Sequence, residues 1–311
     1  MIVLLAEPRG FCAGVERAIA IVEKALKTFP PPIYVRHEIV HNRWVVESLR
    51  AKGAVFVHEL NEIPDGAVAI FSAHGVSKAV EAEGARRPLH ILDATCPLVS
   101  KVHREAERRD HEGRQVILIG HKGHPEVEGT VGQLPEGRIT VISRIDEIDT
   151  LPFESETPTA YVTQTTLSMD ETADVIQALK SRFPDIQGPT REDICYATQN
   201  RQNAVKSLAE RCDLIFVLGA PNSSNSNRLR EVAQRCGTRS HLIESVRDVQ
   251  EAWLEGVTCL GVTAGASAPE ILIDELLERL KDRIERVETL AVSKEHLAFP
   301  LPRELQSAGN S

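Results

Sequence analysis

The sequence predicts an α/β fold of three small α/β domains, with parallel sheets arranged around a pseudo-threefold axis. Three observations support this prediction. Short apolar runs alternate with amphipathic segments, three cysteines occupy corresponding points in that alternation, and polar loops recur at similar distances after each cysteine. Strands that alternate with helices are typical of parallel sheets joined by right-handed crossovers. We therefore expect one sheet in each repeat.

The three cysteines lie where a strand is expected to end and a helix to begin. Cys12 follows the apolar run 2–6, and Cys96 follows the run 89–92. Cys195 repeats the pattern ahead of another amphipathic segment. A proline directly after Cys96 is typical of the first helical position. We expect the three cysteines to meet in space.

Two polar loops follow each cysteine. The first lies 28 or 29 residues after the cysteine and the second 62 to 72 residues after it. The reference positions are His41, His124 and Ser223 in the first loops, and His74, Thr165 and Ser267 in the second. Ligands of parallel α/β sheets bind beyond the carboxyl ends of the strands, where these loops are expected. Few side chains are shared between the repeats, so the architecture is repeated rather than the sequence.

The repeats define the expected domains. Residues 13–95 form the first α/β domain, 96–193 the second, and 194–285 the third. The third domain is expected to include the N-terminal strand 1–12. Residues 286–311 are expected to form an extended C-terminal strap and tail.

Composition narrows the function classes. The chain has 311 residues, of which 42% are apolar and 26% charged, as in soluble globular proteins. The net charge of −9 gives no general attraction to nucleic acid or to anionic membranes. The opening residues 1–6 are too short for a signal peptide, and no apolar run reaches the roughly 20 residues of a membrane span. Together with six cysteines, these features lead us to expect a cytoplasmic protein whose grouped thiols bind metal or catalyse.

Three thiolates at helix N-termini suit an iron–sulfur cluster. The helix dipole and the free amides lower thiol pKa and offset the negative charge of a cluster. Three cysteines leave one iron of a cubane without a protein thiolate, and such an iron can act as a Lewis acid toward a substrate oxygen. We predict one [4Fe–4S] cluster with an open fourth iron, at the centre of the domains, held by Cys12, Cys96 and Cys195. The remaining cysteines, Cys212, Cys236 and Cys259, are expected in the core.

The polar loops have the composition of an anion site. Histidine rings can donate an N–H or carry positive charge beside an anion. Serine and asparagine add neutral donors, and helix starts beyond the loops add amides. A phosphate or diphosphate is therefore the expected ligand. The candidate residues are His41, His74, His124, Thr165, Ser223, Ser224, Asn225 and Ser267.

Glu126, two residues after His124, is the one acid that we expect within the anion site. Beside an anion and a cluster its pKa should rise, which suits a proton donor. Thr165 can complete a hydroxyl relay beside it, and His124 lies two residues before it. Asp93 and Asp193 are expected instead to cap the helices that follow Cys96 and Cys195.

These residues lie in nine ordered motifs, and through them the chain resembles the family of 4-hydroxy-3-methylbut-2-enyl diphosphate reductases, also called IspH or LytB. The resemblance extends from Ile2 to about Glu304. The motifs are Pro8-Arg-Gly-Phe-Cys-Ala-Gly14, Tyr34-Val-Arg-His-Glu-Ile-Val-His-Asn42, Phe71-Ser-Ala-His-Gly-Val76, Asp93-Ala-Thr-Cys-Pro-Leu-Val99, Gly120-His-Lys-Gly-His-Pro-Glu-Val-Glu-Gly129, Thr163-Gln-Thr-Thr166, Asp193-Ile-Cys-Tyr-Ala197, Asn222-Ser-Ser-Asn-Ser-Asn227 and Gly261-Val-Thr-Ala-Gly-Ala-Ser-Ala-Pro269.

The resemblance implies a reductive dehydroxylation that ends the methylerythritol phosphate route to isoprenoids. The substrate hydroxyl would bind the open iron, and the products would be isopentenyl and dimethylallyl diphosphate. It also implies that Glu126, His124 and Thr165 serve the hydroxyl and deliver protons, while the remaining loop residues bind the diphosphate. Ferredoxin or flavodoxin would supply electrons, because the chain has no flavin or nicotinamide fingerprint of its own.

Two other hypotheses remain. His124-Pro-Glu126 matches the H-x-E part of a zinc deaminase signature, but the P-C-x-x-C partner is missing. A non-catalytic iron–sulfur sensor or carrier is the second alternative. A closed site of four cysteines would support it, whereas three cysteines and an anion site oppose it.

Overall fold

The computed structural model describes residues 1–306, in which strands and helices alternate along the chain. The strands are β1 (Ile2–Glu7), β2 (Ile33–Arg36), β3 (Ala54–Val57), β4 (Val68–Phe71), β5 (His90–Asp93), β6 (Gln115–Ile119), β7 (Ile139–Ile142), β8 (Thr159–Thr163), β9 (Leu214–Leu218), β10 (Arg239–Ile243), β11 (Cys259–Ala264) and β12 (Arg286–Ala291). The helices are α1 (Ala13–Thr28), α2 (Arg43–Ala51), α3 (Lys78–Arg86), α4 (Pro97–His111), α5 (Pro125–Val131), α6 (Met169–Arg182), α7 (Tyr196–Ala209), α8 (Ser224–Arg235), α9 (Ile271–Leu280) and α10 (Arg303–Gln306).

The chain divides into two compact units. Unit 1 consists of Met1–Val15, His41–Val46 and Tyr196–Ala298. Unit 2 consists of Glu16–Val40, Glu47–Cys195 and the described residues from Phe299 on. Unit 1 contains one five-stranded sheet, and unit 2 contains a four-stranded and a three-stranded sheet. The α/β class with three parallel sheets is confirmed, whereas the three-domain boundaries and the pseudo-threefold arrangement stay predictions.

The three sheets share one strand order. The first strand of each repeat, β2, β6 or β9, lies between the second strand (β3, β7 or β10) and the third (β4, β8 or β11). All of these pairs are parallel. In each repeat the first and third strands are neighbours, so the loops that follow them start at the same edge of a sheet. This topology explains why two polar loops follow each cysteine at similar distances.

A fourth strand continues two of the sheets but not the third. β5 pairs with β4 ahead of Cys96, and β1 pairs with β11 ahead of Cys12. In the three-stranded sheet the corresponding contact is a single parallel bridge between Ala160 and Gln187. The expectation that Cys195 follows a strand is therefore wrong. The segment Glu192-Asp-Ile-Cys195 carries charged residues, and side-chain hydrogen bonds hold it instead.

The three central strands of the unit 1 sheet, β1, β9 and β11, are buried on both faces, as expected for strands that are apolar nearly throughout. Successive residues of β1 point to opposite faces. Val3 and Leu5 pack in one cluster with Leu276 of α9. Leu4 packs in another with Leu208 of α7. Two layers of helices therefore cover this sheet.

The three-stranded sheet of unit 2 follows the same rule. Ile117 and Ile119 of β6 pack in a cluster with Leu179 of α6, whereas Val116 and Leu118 face a separate cluster on the other side. The helices of residues 1–306 are too short or too polar to cross a membrane.

The C-terminal segment differs from the expected strap. Residues 286–291 form β12, which pairs in parallel with β1 at the edge of the unit 1 sheet. Charged side chains such as Arg286 and Glu288 suit the exposed edge of a sheet. Glu304 lies in the short helix α10, and Leu305 of that helix is buried. Residues 307–311, assigned to the tail, lie outside the described part of the chain.

Candidate functional site

The three cysteines occupy the predicted helix starts. Cys12 directly precedes α1, Cys96 is the N-cap of α4, and Cys195 directly precedes α7. Each is partly exposed, and within residues 1–306 no cysteine forms a disulfide. Cys12 belongs to unit 1 and the other two to unit 2. Their convergence on one cluster stays a prediction.

Each of these cysteines donates its amide to a second polar loop. The Cys12 N–H lies 3.2 Å from the Ala266 carbonyl, beside Ser267. The Cys96 N–H lies 3.0 Å from the Ala73 carbonyl, beside His74. The Cys195 N–H lies 3.0 Å from the carbonyl of Thr165 itself. The same main-chain hydrogen bond thus recurs in all three repeats. It attaches each of these three cysteines to a loop that carries a candidate binding residue.

Two amides of the first helical turn donate to the Cys12 thiol. Burial raises the pKa of this thiol, while hydrogen bonds from the Val15 and Gly14 amides and the charge of Arg201 oppose that rise. Amides at the first turn of a helix stabilise a thiolate, and hence a thiolate-bound anionic cluster. The donor set therefore fits an iron–sulfur cluster.

Two of the remaining cysteines are core residues as expected, and one is not. Cys212 is buried, and its Sγ lies 3.6 Å from that of partly exposed Cys259. Cys236 is exposed, contrary to the prediction. It forms the C-cap of α8, just before Gly237 with φ +85°, so its side chain lies past the end of the amphipathic face.

Glu126 is buried and held by Thr165 in unit 2. Its Oε1 accepts the Thr165 amide at 2.6 Å, and its Oε2 accepts the Thr165 hydroxyl at 3.0 Å. Burial raises the pKa of Glu126 to about 7, although both hydrogen bonds from Thr165 lower it. The charge of Asp193 adds to the rise. A carboxyl with this pKa is partly protonated at neutral pH, as a general acid requires.

His124 caps the helix on which Glu126 lies. Its Nδ1 accepts the Glu126 amide at 3.1 Å, so the ring of a neutral His124 carries its proton on Nε2. The His74 ring packs edge to face against the His124 ring, with 5.7 Å between centroids. His74 Nδ1 lies 3.3 Å from the Ser72 hydroxyl. Unit 2 therefore brings four predicted residues into two contacting pairs, Glu126 with Thr165 and His74 with His124.

In unit 1 a second group of predicted residues assembles. The Ser267 hydroxyl donates to the His41 carbonyl at 2.9 Å. The His41 Nδ1 accepts from the Asn222 side-chain amide at 3.3 Å. Asn222 is a residue of this group that was not among the predicted site residues, although it opens the polar run 222–227. Its signal was its place in the loop between β9 and α8, directly before the N-cap Ser223.

The start of α8 presents the remaining predicted donors. Ser223 is the N-cap and accepts the Ser226 amide at 3.3 Å, and Ser224 follows at the first helical position. Asn225 is 4% exposed, and within the described residues neither atom of its side-chain amide has a hydrogen-bond partner. A Cβ at Gly265 would lie 3.4 Å from Asn225 Nδ2 and only 2.1 Å from Ser226 Oγ. A polar group with no partner, beside a glycine that leaves room, is expected where a ligand binds.

Asp93 and Asp193 do not cap the helices as predicted. The Asp93 carboxylate accepts the Thr95 amide at 2.8 Å, ahead of α4. The Asp193 carboxylate accepts the Thr163 amide at 3.0 Å, and it pairs with Lys101. Both acids hold the chain that leads into a cysteine. Lys101 was missed by the sequence analysis, because its partners lie about 90 residues away.

The zinc alternative finds no support in the geometry. Within residues 1–306, no three His, Cys, Asp or Glu side chains are grouped to ligate a single metal ion. A catalytic zinc site needs three such ligands on one ion. In a cluster, by contrast, each thiolate binds a different iron, so its cysteines need not share an ion.

Comparison with known proteins gives one consistent result. The family model described as LytB protein matches residues 3–281. A Magnetococcus marinus protein named 4-hydroxy-3-methylbut-2-enyl diphosphate reductase is 70% identical over 98% of this chain and 100% of its own length. A protein of the same name from Actinobacillus succinogenes is 56% identical over 98% of both chains. The solved structure of the E-1-hydroxy-2-methyl-but-2-enyl-4-diphosphate reductase from Plasmodium falciparum has a TM-score of 0.95 at 38% identity, and covers 99% of this chain and 97% of that chain.

Proposed function

The chain belongs to the LytB protein family, and on that premise we propose that it is the oxidoreductase that removes the hydroxyl group of (E)-4-hydroxy-3-methylbut-2-enyl diphosphate. The reaction breaks the allylic carbon–oxygen bond. It consumes two electrons and two protons, releases one water, and yields isopentenyl diphosphate or dimethylallyl diphosphate. This is the last step of the methylerythritol phosphate route.

The residues for a [4Fe–4S] cluster are Cys12, Cys96 and Cys195. Their fit rests on the donor set, since each is a thiol at the start of a helix and each has its amide attached to a polar loop. When bound, such a cluster supplies electrons one at a time and offers one iron without a protein thiolate as a Lewis acid. The family is known as an iron–sulfur family, which agrees with this assignment.

The proposed donors to the diphosphate come from the polar loops. They are His41, His74, Ser223, Ser224, Asn225 and Ser267. The buried amide of Asn225 supports this assignment, because a diphosphate oxygen would satisfy its unpartnered N–H. Amides at the start of α8 favour the same negative charge.

Proton delivery by Glu126 is the step that the geometry supports best. The protonated carboxyl can give its proton to the departing hydroxyl, while the Thr165 hydroxyl and the His124 Nε2–H can hold the oxygen in place. The burial of the Glu126 carboxyl against Thr165 is the single observation that carries this proposal, since burial raises its pKa to about 7. An ordinary exposed glutamate would be ionised at neutral pH and could not act as the acid.

The partner and location follow from the same assignment. Ferredoxin or flavodoxin is the proposed electron donor, because the sequence has no flavin or nicotinamide fingerprint. A cytoplasmic location is proposed because the six cysteines, all within residues 1–306, form no disulfide there, and oxidising compartments favour disulfides.

The test compares two glutamates of one helix. The protein is purified without air, loaded with iron and sulfide, reduced with dithionite, and assayed for both products by chromatography. Glu126→Gln should lower turnover by about 10²-fold or more, because general acids contribute about that factor, while cluster content and substrate affinity stay unchanged. Glu128→Gln, which changes an exposed residue of the same first turn, should leave turnover unchanged.

The outcomes separate the parts of the proposal. A parent protein that takes up no cluster, or forms neither product, would contradict the assigned function. A parent protein that is active while Glu126→Gln retains near-normal turnover would contradict only the role of Glu126.

A further inference from the structure

Three basic side chains hold the main chain just ahead of the three cysteines, and none of them belongs to the proposed catalytic or binding residues. They are Arg17, Lys101 and Arg201, and each donates hydrogen bonds to main-chain carbonyl groups. Charged donors form stronger hydrogen bonds than neutral ones. Carbonyls in an irregular segment otherwise lack the partners that a strand or helix would supply.

Arg17 holds the segment that leads into Cys96. Its Nη1 donates to the Thr95 carbonyl at 3.1 Å, and its Nη2 lies 3.4 Å from the Asp93 carbonyl. Its Nε donates to the Pro300 carbonyl at 2.9 Å. The guanidinium thus spans the residues immediately before Cys96 and attaches them to the C-terminal segment.

Lys101 holds the segment that leads into Cys195. Its Nζ donates to the Arg191 and Glu192 carbonyls, both at 2.6 Å, and to the Asp193 carboxylate at 3.0 Å. All three N–H bonds of the ammonium are therefore used on three consecutive residues. The Asp193 side chain is fully buried, whereas the Lys101 side chain is 28% exposed.

Arg201 holds the segment that leads into Cys12. Its Nε and Nη2 donate to the Gly10 carbonyl at 3.1 and 2.8 Å, and its Nη2 also donates to the Phe11 carbonyl at 3.2 Å. Its Nη1 pairs with Glu295 at 3.0 Å. The side chain is fully buried, so these contacts replace all of its hydration.

The positions of the three basic residues follow the threefold repeat. Arg17 lies on α1, the helix that begins after Cys12, and holds the segment ahead of Cys96. Lys101 lies on α4, which begins after Cys96, and holds the segment ahead of Cys195. Arg201 lies on α7, which begins after Cys195, and holds the segment ahead of Cys12. Each basic residue therefore lies on the helix that follows one cysteine and holds the segment that precedes the next cysteine. The three relations form a closed cycle.

We infer that Arg17, Lys101 and Arg201 are positioning residues for the cluster-binding cysteines, each acting on the cysteine ahead of which it holds the main chain. This inference rests on the proposed function for its purpose, but not for its geometry. Its distinctive consequence is directional. Loss of one basic side chain loosens the cysteine of the next repeat, and leaves the cysteine on its own helix in place.

The direction can be measured on the full chain without a cluster. Under reducing conditions, each cysteine is alkylated with iodoacetamide, and peptide mass spectrometry gives a separate rate for every cysteine. Lys101→Met should raise the rate at Cys195 about tenfold or more and leave the rate at Cys96 unchanged, since hydrogen bonds to charged groups resist local opening. Arg17→Met should raise the alkylation rate at Cys96 and leave the rate at Cys12 unchanged.

Conservative and matched variants show whether a change in alkylation rate comes from a general loss of the fold. Lys101→Arg keeps the charge and the reach, and should restore most of the protection of Cys195. Lys78→Met removes a different lysine that pairs with Glu107 of the same helix α4, and should change no cysteine. Should the buried Arg201 tolerate no replacement, the pair Arg17 and Lys101 still tests the cyclic order.

A second measurement uses the cluster itself. After loading with iron and sulfide, release of the cluster to a chelator is followed by its absorbance. Lys101→Met and Arg17→Met should both accelerate release about tenfold, and Lys78→Met should not. Three alkylation results would overturn the inference. They are an equal rise in the rates of all three cysteines, a rise at the cysteine on the altered residue's own helix, and no change in any rate. A parent protein without a cluster would contradict the proposed function, while the alkylation rates would still decide the positioning role.

Discussion

The segments that lead into Cys96 and Cys195 both position a cysteine at a helix start, but different interactions hold them in place. Ahead of Cys96 lies a strand, β5, which pairs along its whole length with β4. Ahead of Cys195 the sheet contact is one bridge at Gln187, and the buried Asp193 carboxylate and Lys101 hold the chain instead. The difference teaches that a cysteine can be placed by strand pairing or by an ion pair whose carboxylate is buried. The Asp193–Lys101 pair depends on two side chains, whereas the pairing of β5 with β4 is shared among the main-chain groups of a whole strand.

The largest expected difference lies between the two acids of these segments. Asp193→Ala leaves the Thr163 amide and Lys101 without their shared acceptor, and should lower the free energy of unfolding by about 3–5 kcal/mol, as for a broken buried ion pair. Asp93→Ala removes one hydrogen bond of an exposed side chain and should cost about 1 kcal/mol. Urea unfolding of the cluster-free protein measures both. Equal costs would contradict the comparison.

The next difference concerns two glycines in the histidine loops. Both have positive φ, +80° at Gly75 and +83° at Gly123, so alanine is strained at either position. A Cβ at Gly75 would lie 2.8 Å from the His103 ring, whereas a Cβ at Gly123 meets nothing within 4 Å. Gly75→Ala should therefore cost about 2–3 kcal/mol of stability and Gly123→Ala about 1 kcal/mol. Thermal unfolding of the two variants measures the gap, and a larger loss in Gly123→Ala would be the contrary result.

The pH dependence of turnover tests the proposed role of Glu126, in the second repeat, as the proton donor. The pKa of Glu126 is raised to about 7, so the folded protein holds the donor proton below that pH and loses it above. Turnover should fall as pH rises through about 7. A rate that instead rises across this range would contradict the assignment of Glu126 as the acid.

A smaller effect is expected from the hydroxyl of Thr165. Thr165→Val removes the hydrogen bond to Glu126 Oε2 but keeps the main-chain hydrogen bond. Loss of a bond to the charged form should move the fall in turnover about half a unit to one unit toward higher pH. Thr166→Val, the neighbouring threonine, serves as the control and should leave the profile in place.

The smallest effect is expected at Ser72. Its hydroxyl lies 3.3 Å from His74 Nδ1, which is a weak contact of a partly buried pair. Ser72→Ala should raise KM for the diphosphate about twofold and leave kcat unchanged, because the ring orientation matters for binding alone. A change in kcat without a change in KM would contradict the binding role of His74.

Much of the site could be predicted from the sequence because its signals are local. Pro97 after Cys96 and the polar residues after each strand indicate helix starts within a few positions. His124 and Glu126 lie two residues apart at a helix start, where an N-cap side chain accepts the amide two residues on. Glu126 also illustrates the limit, since its pKa depends on burial and on Thr165, 39 residues away.

The sequence by itself determined the α/β class, the position of the three cysteines at helix starts and the polar composition of the loops, because these depend on the alternation of neighbouring residues. Only the tertiary structure decided how each cysteine is approached. Asp193 serves Thr163 rather than a helix, and Arg201 reaches a carbonyl 191 residues away. Such contacts join residues that are far apart in the sequence and become neighbours only on folding, so no local pattern encodes which distant carbonyl a basic side chain will meet.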